Sequence, residues 1–417
     1  MSVPPVRAPG ASDPGLSFRP FVALMACLMA MNALAIDIML AALPEIARSL
    51  HIATENQRQW IIATYVIGFG SAQLVWGPLA DRFGRKPIVV ASTASFCVLS
   101  LVAGLSSTFP LLLIARFWQG VAAAASRVLV VSIVRDCYEG RQMARVMSLA
   151  FMCFLAVPIL APSIGQIILL AMGSWRWIFL LLGAFGGLLG IVAWFKLKET
   201  LHPEYRQPIS IGGVATAMAR VIGDRTAAGY SLSSAFAFGS LMGFINSAGQ
   251  IFADIFHAAA MFPLVFACIA GSMGVSSFLN SRIVGRFGTR RVSQSAMFGF
   301  TVLAIIHLVV ALSGRETIWT LAIIQSATMF CFGMMGANFG SMAMEPVGDI
   351  AGTASSIQGF FQTLIGALIG LVIGQSFDGT TVPLAIGFTV IGFCVIATVT
   401  FTERGKLFRP HHAPVLS

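Results

Sequence analysis

Charged side chains are scarce in this 417-residue sequence. Only 10% of the residues are Asp, Glu, Lys or Arg, whereas 57% are hydrophobic and the mean hydropathy is +0.87. A soluble globular protein usually carries about 25% charged residues, so the composition excludes a soluble globular fold. The sequence therefore belongs in a lipid bilayer.

Several chemical signatures are also missing. The seven cysteines show neither paired nor metal-like spacing. No nucleophile stands with a base and no cluster of metal ligands occurs, so we expect no enzyme activity, no metal and no cofactor. Filter-like repeats and charged rings, which mark channels, are missing too. The net charge of +10 is scattered over short loops without interleaved aromatic residues, which argues against nucleic acid as a partner.

Long apolar runs dominate what is present. Twelve of them are long enough to cross a hydrocarbon core of about 30 Å. Continuous apolar runs predict helices, because membrane-spanning strands would alternate apolar and polar residues. The fold class that follows is an all-α membrane protein with twelve transmembrane helices. The runs lie near 21–43, 60–80, 87–106, 110–134, 146–170, 176–196, 229–252, 262–281, 292–313, 317–340, 353–377 and 383–402.

The chain repeats one of its loops. The last six residues of the turn at 77–86 recur 204 residues later at 285–290, which predicts two pseudo-symmetric six-helix bundles. The matched pairs are Arg82 with Arg286, Phe83 with Phe287, Gly84 with Gly288, and Lys86 with Arg290. The predicted organisation is a disordered cytoplasmic tail at 1–20, a six-helix bundle at 21–196, a cytoplasmic linker at 197–228, a second bundle at 229–402 and a cytoplasmic tail at 403–417.

Basic residues predict the orientation in the membrane. If the N-terminus is cytoplasmic, twenty of the 26 Lys and Arg residues lie on the cytoplasmic side and four on the opposite side. Cytoplasmic loops of membrane proteins carry an excess of Lys and Arg. Both termini are therefore predicted to be cytoplasmic.

Asp37 is the only acidic residue well inside a predicted span. An ionised carboxylate near mid-span costs about 2.5–3.5 kcal/mol, so such residues usually face a cavity and have a function. Arg116, in the fourth span, lies at a matching depth of about 9 Å below the outer boundary. We expect the two to compensate each other, directly or through water. The alternative for Asp37 is a side chain that snorkels to the interface.

Other polar residues within the spans either line a substrate cavity or bridge helices. Arg127 shares a helix face with Arg116, and either snorkels towards cytoplasmic groups or lies on the transport path. His307 is isolated and is predicted to be packed or hydrogen-bonded. The cavity candidates are Asn32, Tyr65, Gln73, Asn246, Gln250, Asn338, Gln358 and Gln362.

The fifth span carries Pro158 and Pro162 four residues apart, with Gly165 following. The prolines remove backbone donors from one face, and the glycine permits close helix approach. We therefore expect this helix to be kinked and tightly packed.

These motifs resemble those of the major facilitator superfamily. The segment 77–86 (GPLADRFGRK) resembles the loop motif between its second and third helices, and Arg116 with Gln119 and Gly120 resembles its fourth-helix motif. The stretch 161–165 (APSIG) resembles the fifth-helix motif of its antiporters. Asp37 before Leu43 and Pro44, together with 280–282 (NSR) and 351–356 (AGTASS), is similar to the drug/proton antiporters of the bicyclomycin- and chloramphenicol-resistance type.

The resemblance implies the major facilitator fold and a monomeric drug/proton antiporter of the bacterial inner (plasma) membrane. It would exchange a small lipophilic or cationic drug for protons by alternating access; the alternative is a proton-coupled exporter of one metabolite, such as a sugar or an amino acid derivative. It implies that Asp37 and Arg116 couple proton and substrate, and that Pro158, Pro162 and Gly165 form an antiporter motif. It also implies a conformational latch in which Asp81 meets the N-terminus of the eleventh helix near Gly352. The implied latch residues are Gly77, Asp81, Arg82, Gly84 and Arg85.

Overall fold

A computed structural model describes residues 12–206 and 211–409. Parts of the two predicted tails, residues 1–11 and 410–417, lie outside the described residues. The chain divides into two compact units, Met1–Val214 and Ala215–Ser417.

Helices account for the regular structure of the first unit, and no strand occurs among its described residues. Its helices are α1 (Phe18–Asp37), α2 (Leu43–Ser49), α3 (Trp60–Phe83), α4 (Arg85–Gly104), α5 (Phe109–Cys137), α6 (Gly140–Met172) and α7 (Arg176–Lys196). A further helix, α8 (Ile211–Gly223), lies at the division between the units.

The second unit is built in the same way over its described part. Eleven helices of the described chain are long and apolar enough to cross a membrane, and α6 adds the apolar stretch Ala156–Met172. The predicted all-α membrane fold is confirmed. The helices of this unit are α9 (Arg225–Gln250), α10 (Phe262–Phe287), α11 (Thr289–Leu312), α12 (Ile318–Met344), α13 (Ala351–Gln375) and α14 (Val382–Thr402).

The first predicted span, 21–43, is broken near its end. Helix α1 ends at Asp37, a short 3-10 turn covers Leu40–Ala42, and α2 begins at Leu43. Pro44 occupies the first turn of α2, where a missing backbone N–H carries no penalty. Asp37 is therefore the last residue of a helix rather than part of a continuous one.

The predicted disordered tail at 1–20 is wrong for its described part. Ser12 is buried, and its backbone N–H donates to the carbonyl oxygen of Asp136 at 3.0 Å. The backbone N–H of Lys198 donates to the carbonyl oxygen of Pro14 at 2.9 Å. These long-range backbone bonds fix the segment before α1, and composition gives no sign of them.

The predicted linker, 197–228, holds regular structure. It contains α8, and α9 begins at Arg225, before the predicted start of the seventh span. The carboxylate of Asp224 caps α9 by accepting from the backbone N–H groups of Thr226 and Ala227. A capping aspartate satisfies donors that a helix start leaves open, which explains the earlier beginning.

Close glycine contacts hold α3 against α5. A Cβ atom on Gly120 would lie 2.0 Å from the carbonyl oxygen of Tyr65, and one on Gly68 would lie 2.1 Å from that of Phe117. Gly165 makes the close approach predicted for it, because a Cβ there would lie 1.8 Å from the carbonyl oxygen of Ile38. Helix α6 continues as one helix through Pro158 and Pro162. Small residues therefore bring these backbones together.

Candidate functional site

Arg116 is fully buried where α1, α3 and α5 meet. Its Nε donates to the carbonyl oxygen of Ile61 at 3.1 Å, and its Nη2 donates to the carbonyl oxygen of Ala35 at 3.1 Å. Its Nη1 donates to Oε1 of Gln119 at 2.6 Å. Backbone carbonyls of two other helices thus hold the buried cation. The close α3–α5 glycine contacts bring the carbonyl oxygen of Ile61 within reach of Arg116.

Neighbouring polar groups extend this network. Gln119 donates from Nε2 to Oγ of Ser100 on α4 at 2.6 Å. The guanidinium of Arg116 lies 4.2 Å from the ring centroid of Tyr65, a cation–π distance. The hydroxyl of Tyr65 donates to Oδ1 of Asn32 at 3.0 Å. Of the predicted cavity residues, Asn32 and Tyr65 therefore come together with Arg116.

Asp37 lies nearby but is not an ion-pair partner of Arg116. Its side chain is 4% exposed, and the described part of the chain offers its carboxyl no hydrogen-bond or ion-pair partner. Arg116 instead binds the carbonyl oxygen of Ala35, two residues earlier. The expected direct compensation between the two charges is therefore not what the structure shows, because backbone oxygens already satisfy the cation.

The remaining cavity candidates are all buried or half-buried. Asn338 bridges helices, since its Nδ2 donates to Oδ1 of Asn280 on α10 and to the carbonyl oxygen of Met334, each at 2.8 Å. Asn246 is buried with its Oδ1 lacking a partner among the described atoms, and Gln250 is buried one turn further on. Convergence of these groups on one cavity stays a prediction. Gln73 and Gln358 are buried, and Gln362 is half-buried.

Arg127 is exposed on α5, eleven residues beyond Arg116. Eleven residues make about three turns, so both arginines project from one face of the helix. No hydrogen bond or ion pair involves Arg127 within the described ranges. Its place on a transport path stays a prediction.

Arg85 forms the centre of a charged cluster at one end of the first unit. Its Nη1 donates to Oδ1 of Asp81 at 2.6 Å, and its Nε donates to Oδ2 of Asp136 at 3.2 Å. Arg85 is 3% exposed, whereas Asp81 is 45% exposed. Of the predicted latch residues, Arg85 and Asp81 are thus in contact, and Asp136 joins them although sequence reasoning did not select it. Arg82 is exposed, and Gly77 lies within α3.

Glu199, which follows α7 in the sequence, binds the same turn through backbone N–H groups. Its Oε1 accepts from the backbone N–H of Arg85 at 2.8 Å, and its Oε2 accepts from that of Lys86 at 3.2 Å. Gly84 has φ +105°, and a Cβ there would lie 2.3 Å from Oε2 of Glu199. Glycine is needed at this position for both its backbone angle and its small size.

The second unit repeats this arrangement with different partners. Gly288 also has a positive φ, +82°, before the start of α11. Arg290 donates from Nε to Oε1 of Glu403 at 3.0 Å and from Nη2 to Oε2 of Glu345 at 3.0 Å. The hydroxyl of Tyr230 donates to the same oxygen of Glu403 at 2.5 Å. Glu403 stands 204 residues after Glu199, so the repeat spacing relates the two acids.

His307 is not isolated, although no neighbour in sequence indicates a partner. Its Nε2 lies 3.0 Å from Oε1 of Glu316, which follows α11, and both side chains are buried. Oε2 of Glu316 accepts from the hydroxyl of Thr381 just before α14. A buried titratable pair therefore joins the ends of α11 and α14, and it adds an acid that sequence reasoning did not consider.

The sequence of this chain is similar to those of known proteins. Residues 25–371 match the family model described as Major Facilitator Superfamily. The chain is 31% identical over 382 residues to the uncharacterized MFS-type transporter YdgK of Bacillus subtilis, covering 91% of this chain and 93% of that protein. It is 27% identical over 380 residues to a bicyclomycin resistance protein homolog of Haemophilus influenzae, covering 91% and 94%. It is also 27% identical over 369 residues to the multidrug resistance protein MdtL of Salmonella paratyphi B, covering 88% and 91%.

Proposed function

The chain belongs to the major facilitator superfamily, a family of membrane transporters and not of enzymes, and from this we propose that it exports drugs in exchange for protons. Relatives named for bicyclomycin resistance and multidrug resistance support the choice of drugs as substrates. We place the protein in the bacterial inner membrane with both termini in the cytoplasm, as the distribution of Lys and Arg favours.

The observation that carries the proposal is the state of Asp37. Its carboxyl is buried in a membrane helix, and the described residues provide it with no partner. A carboxylate that served only structure would be paired, because an unpaired charge in the membrane interior is costly. Asp37 is therefore suited to alternate between a protonated and an ionised form.

Arg116 supports this cycle without neutralising Asp37. Its three hydrogen bonds tie it to α1, α3 and its own helix, so it can hold the end of α1 in place while the charge on Asp37 changes. The bond to the carbonyl oxygen of Ala35 is the direct link to Asp37's turn of helix. In this role Arg116 is a positioning residue.

The transport cycle follows alternating access. A proton from outside neutralises Asp37, and a substrate from the cytoplasm, lipophilic or cationic, displaces that proton. For a neutral substrate, each proton that enters moves one elementary charge down the membrane potential, which supplies about 2.3 kcal/mol per 100 mV and supports roughly a fiftyfold substrate gradient. A monocationic substrate exchanged for one proton moves no net charge, so the pH gradient alone drives its export.

The Arg85 cluster is proposed to act as the latch of this cycle. Asp81 is partly exposed beside Arg85, so one face of its carboxylate stays available for another partner. An exposed carboxylate of this kind suits the N-terminus of a helix, where the helix dipole favours an anion. The partner implied by the motif, near Gly352, stays a prediction.

The test uses purified protein in liposomes with an imposed pH gradient and a fluorescent pH indicator inside. A panel of lipophilic cations and neutral antibiotics is added to wild type, Asp37→Asn and the control Asp378→Asn. Asp378 is an exposed acid whose carboxylate accepts from Thr380, so its variant removes one carboxylate away from the site. We expect substrate-dependent proton movement in wild type and control, and at least tenfold less in Asp37→Asn.

Two outcomes would contradict the proposal. If no compound of the panel moves protons in wild type, drug export fails and metabolites become the substrates to examine. If Asp37→Asn couples as well as the control, the proton is carried by another residue.

A further inference from the structure

A groove on the second unit is not used by the proposed transport cycle. It has a volume of about 810 Å³ and lies between the start of α9 and the end of α14. One part of its wall is cationic and the other is apolar. Its lining residues are Arg225, Phe393, Ile396, Ala397, Thr400, Phe401, Arg404 and Gly405.

Arg225 is held at the mouth of this groove. Its Nη2 donates to the carbonyl oxygen of Phe401, and its guanidinium lies 4.8 Å from the ring centroid of Phe401. Its Nε is buried and has no hydrogen-bond partner among the described atoms. The cation is therefore fixed in position while part of its donor capacity stays unused.

Arg404 supplies a second positive charge. It follows α14 with φ +53°, a left-handed conformation that is unfavourable for a residue with a side chain. The bond from the backbone N–H of Gly405 to the carbonyl oxygen of Thr400, at 2.9 Å, closes the turn. This turn keeps Arg404 on the wall of the groove.

Nearby carboxylates are engaged elsewhere. Asp224 caps α9 through the backbone N–H groups of Thr226 and Ala227. Glu403 is buried against Arg290 and Tyr230. No described ion pair neutralises either groove arginine, so the groove keeps a positive charge of two.

The apolar wall belongs to the membrane-facing side of α14. Phe393 is 55% exposed and Phe401 is 73% exposed, on a helix that is apolar enough to cross the membrane. The guanidinium of Arg225, held in place, and that of Arg404 at the end of such a wall match the phosphate of a lipid, and the apolar wall matches its acyl chain. We propose that this groove binds the phosphate group of an anionic phospholipid, with an acyl chain along Phe393 and Phe401.

Native mass spectrometry of the delipidated full chain in detergent tests the site. The protein is titrated with dioleoyl phosphatidylglycerol, with dioleoyl phosphatidylethanolamine of the same acyl chains, and with glycerol 3-phosphate as a soluble phosphate. We expect the double variant Arg225→Gln/Arg404→Gln to bind phosphatidylglycerol about thirtyfold more weakly, since each basic group near a lipid surface contributes about fivefold. Binding of the zwitterionic lipid should change less than threefold.

A matched control removes two other arginines from the same unit. Arg282 and Arg286 are exposed and each stacks on a neighbouring phenylalanine, but neither lines the groove. Arg282→Gln/Arg286→Gln should bind phosphatidylglycerol as wild type does. Equal losses in the two double variants would overturn the proposal, because they would mean general charge attraction. Binding of glycerol 3-phosphate as tight as that of phosphatidylglycerol would overturn it too, because the ligand would then be a soluble phosphate.

Discussion

Gly120 determines whether Arg116 can reach its carbonyl partners. In Gly120→Ala the new methyl group would lie 2.0 Å from the carbonyl oxygen of Tyr65, whereas ordinary contact begins near 3.4 Å. To bring this methyl group to ordinary contact distance, α3 and α5 must separate locally by about 1.4 Å. The bond between Nε of Arg116 and the carbonyl oxygen of Ile61, now 3.1 Å, would then exceed hydrogen-bond distance.

The energetic cost follows from both effects. Overpacking of an interior costs about 1–3 kcal/mol, and loss of a hydrogen bond to a charged group adds about 1.5–3 kcal/mol. We expect the unfolding midpoint of purified protein to fall by about 5–24 °C, at about 2–4 °C per kcal/mol for a unit of this size. Substrate-driven proton movement should fall at least tenfold at temperatures where the variant stays folded.

The matched control lies on the same helix pair. In Gly77→Ala the nearest atom to the new methyl group is Cγ1 of Val128 at 4.0 Å, so nothing has to move. Its unfolding midpoint should stay within about 2 °C of wild type. If Gly120→Ala is as stable as Gly77→Ala and as active as wild type, then the backbone contact does not position Arg116, and the reasoning is refuted.

Two further predictions concern buried acids of the second unit. Glu403→Gln should lower the free energy of unfolding by about 3–5 kcal/mol, because it leaves Arg290 without one of its two carboxylates, and chemical denaturation measures this. Combining it with Arg290→Gln should cost less than the sum of the single changes, whereas simple additivity would count against the pair. Glu316→Gln should lower the same free energy by about 1–3 kcal/mol, because it removes the buried carboxylate that accepts from Thr381 and lies 3.0 Å from Nε2 of His307. An unchanged denaturation curve would show that this pair contributes nothing.

Sequence reasoning located the spans well because hydropathy is a local property. It placed Asp37 and Arg116 at similar depth, since the rise per residue of a helix is constant. It could not show that Arg116 binds backbone carbonyls, because every residue has a carbonyl and only helix packing selects Ile61 and Ala35. The break after Asp37 was missed because the following residues remain apolar, and hydropathy does not report the loss of helical backbone angles.

Other partners were missed for different reasons. Glu316 lies outside the apolar runs, so its burial against His307 depends on how the ends of α11 and α14 meet. Glu199 and Glu403 could have been found, because the 204-residue spacing that relates the two loops also relates these acids. Finding them requires the 204-residue comparison to be continued beyond the repeated loop, to residues far from it in the sequence.

The two related glutamates differ in what a substitution would do to them. Glu199 binds backbone N–H groups, which any residue except proline provides at 85 or 86, so its contacts survive most changes in those side chains. Glu403 binds the side chains of Arg290 and Tyr230, so a substitution at either residue changes its contacts. Over evolutionary time the first unit can vary its loop charges while keeping this closure. The second unit can weaken or strengthen its closure with a single mutation, which makes it the half where selection can adjust the transporter most readily.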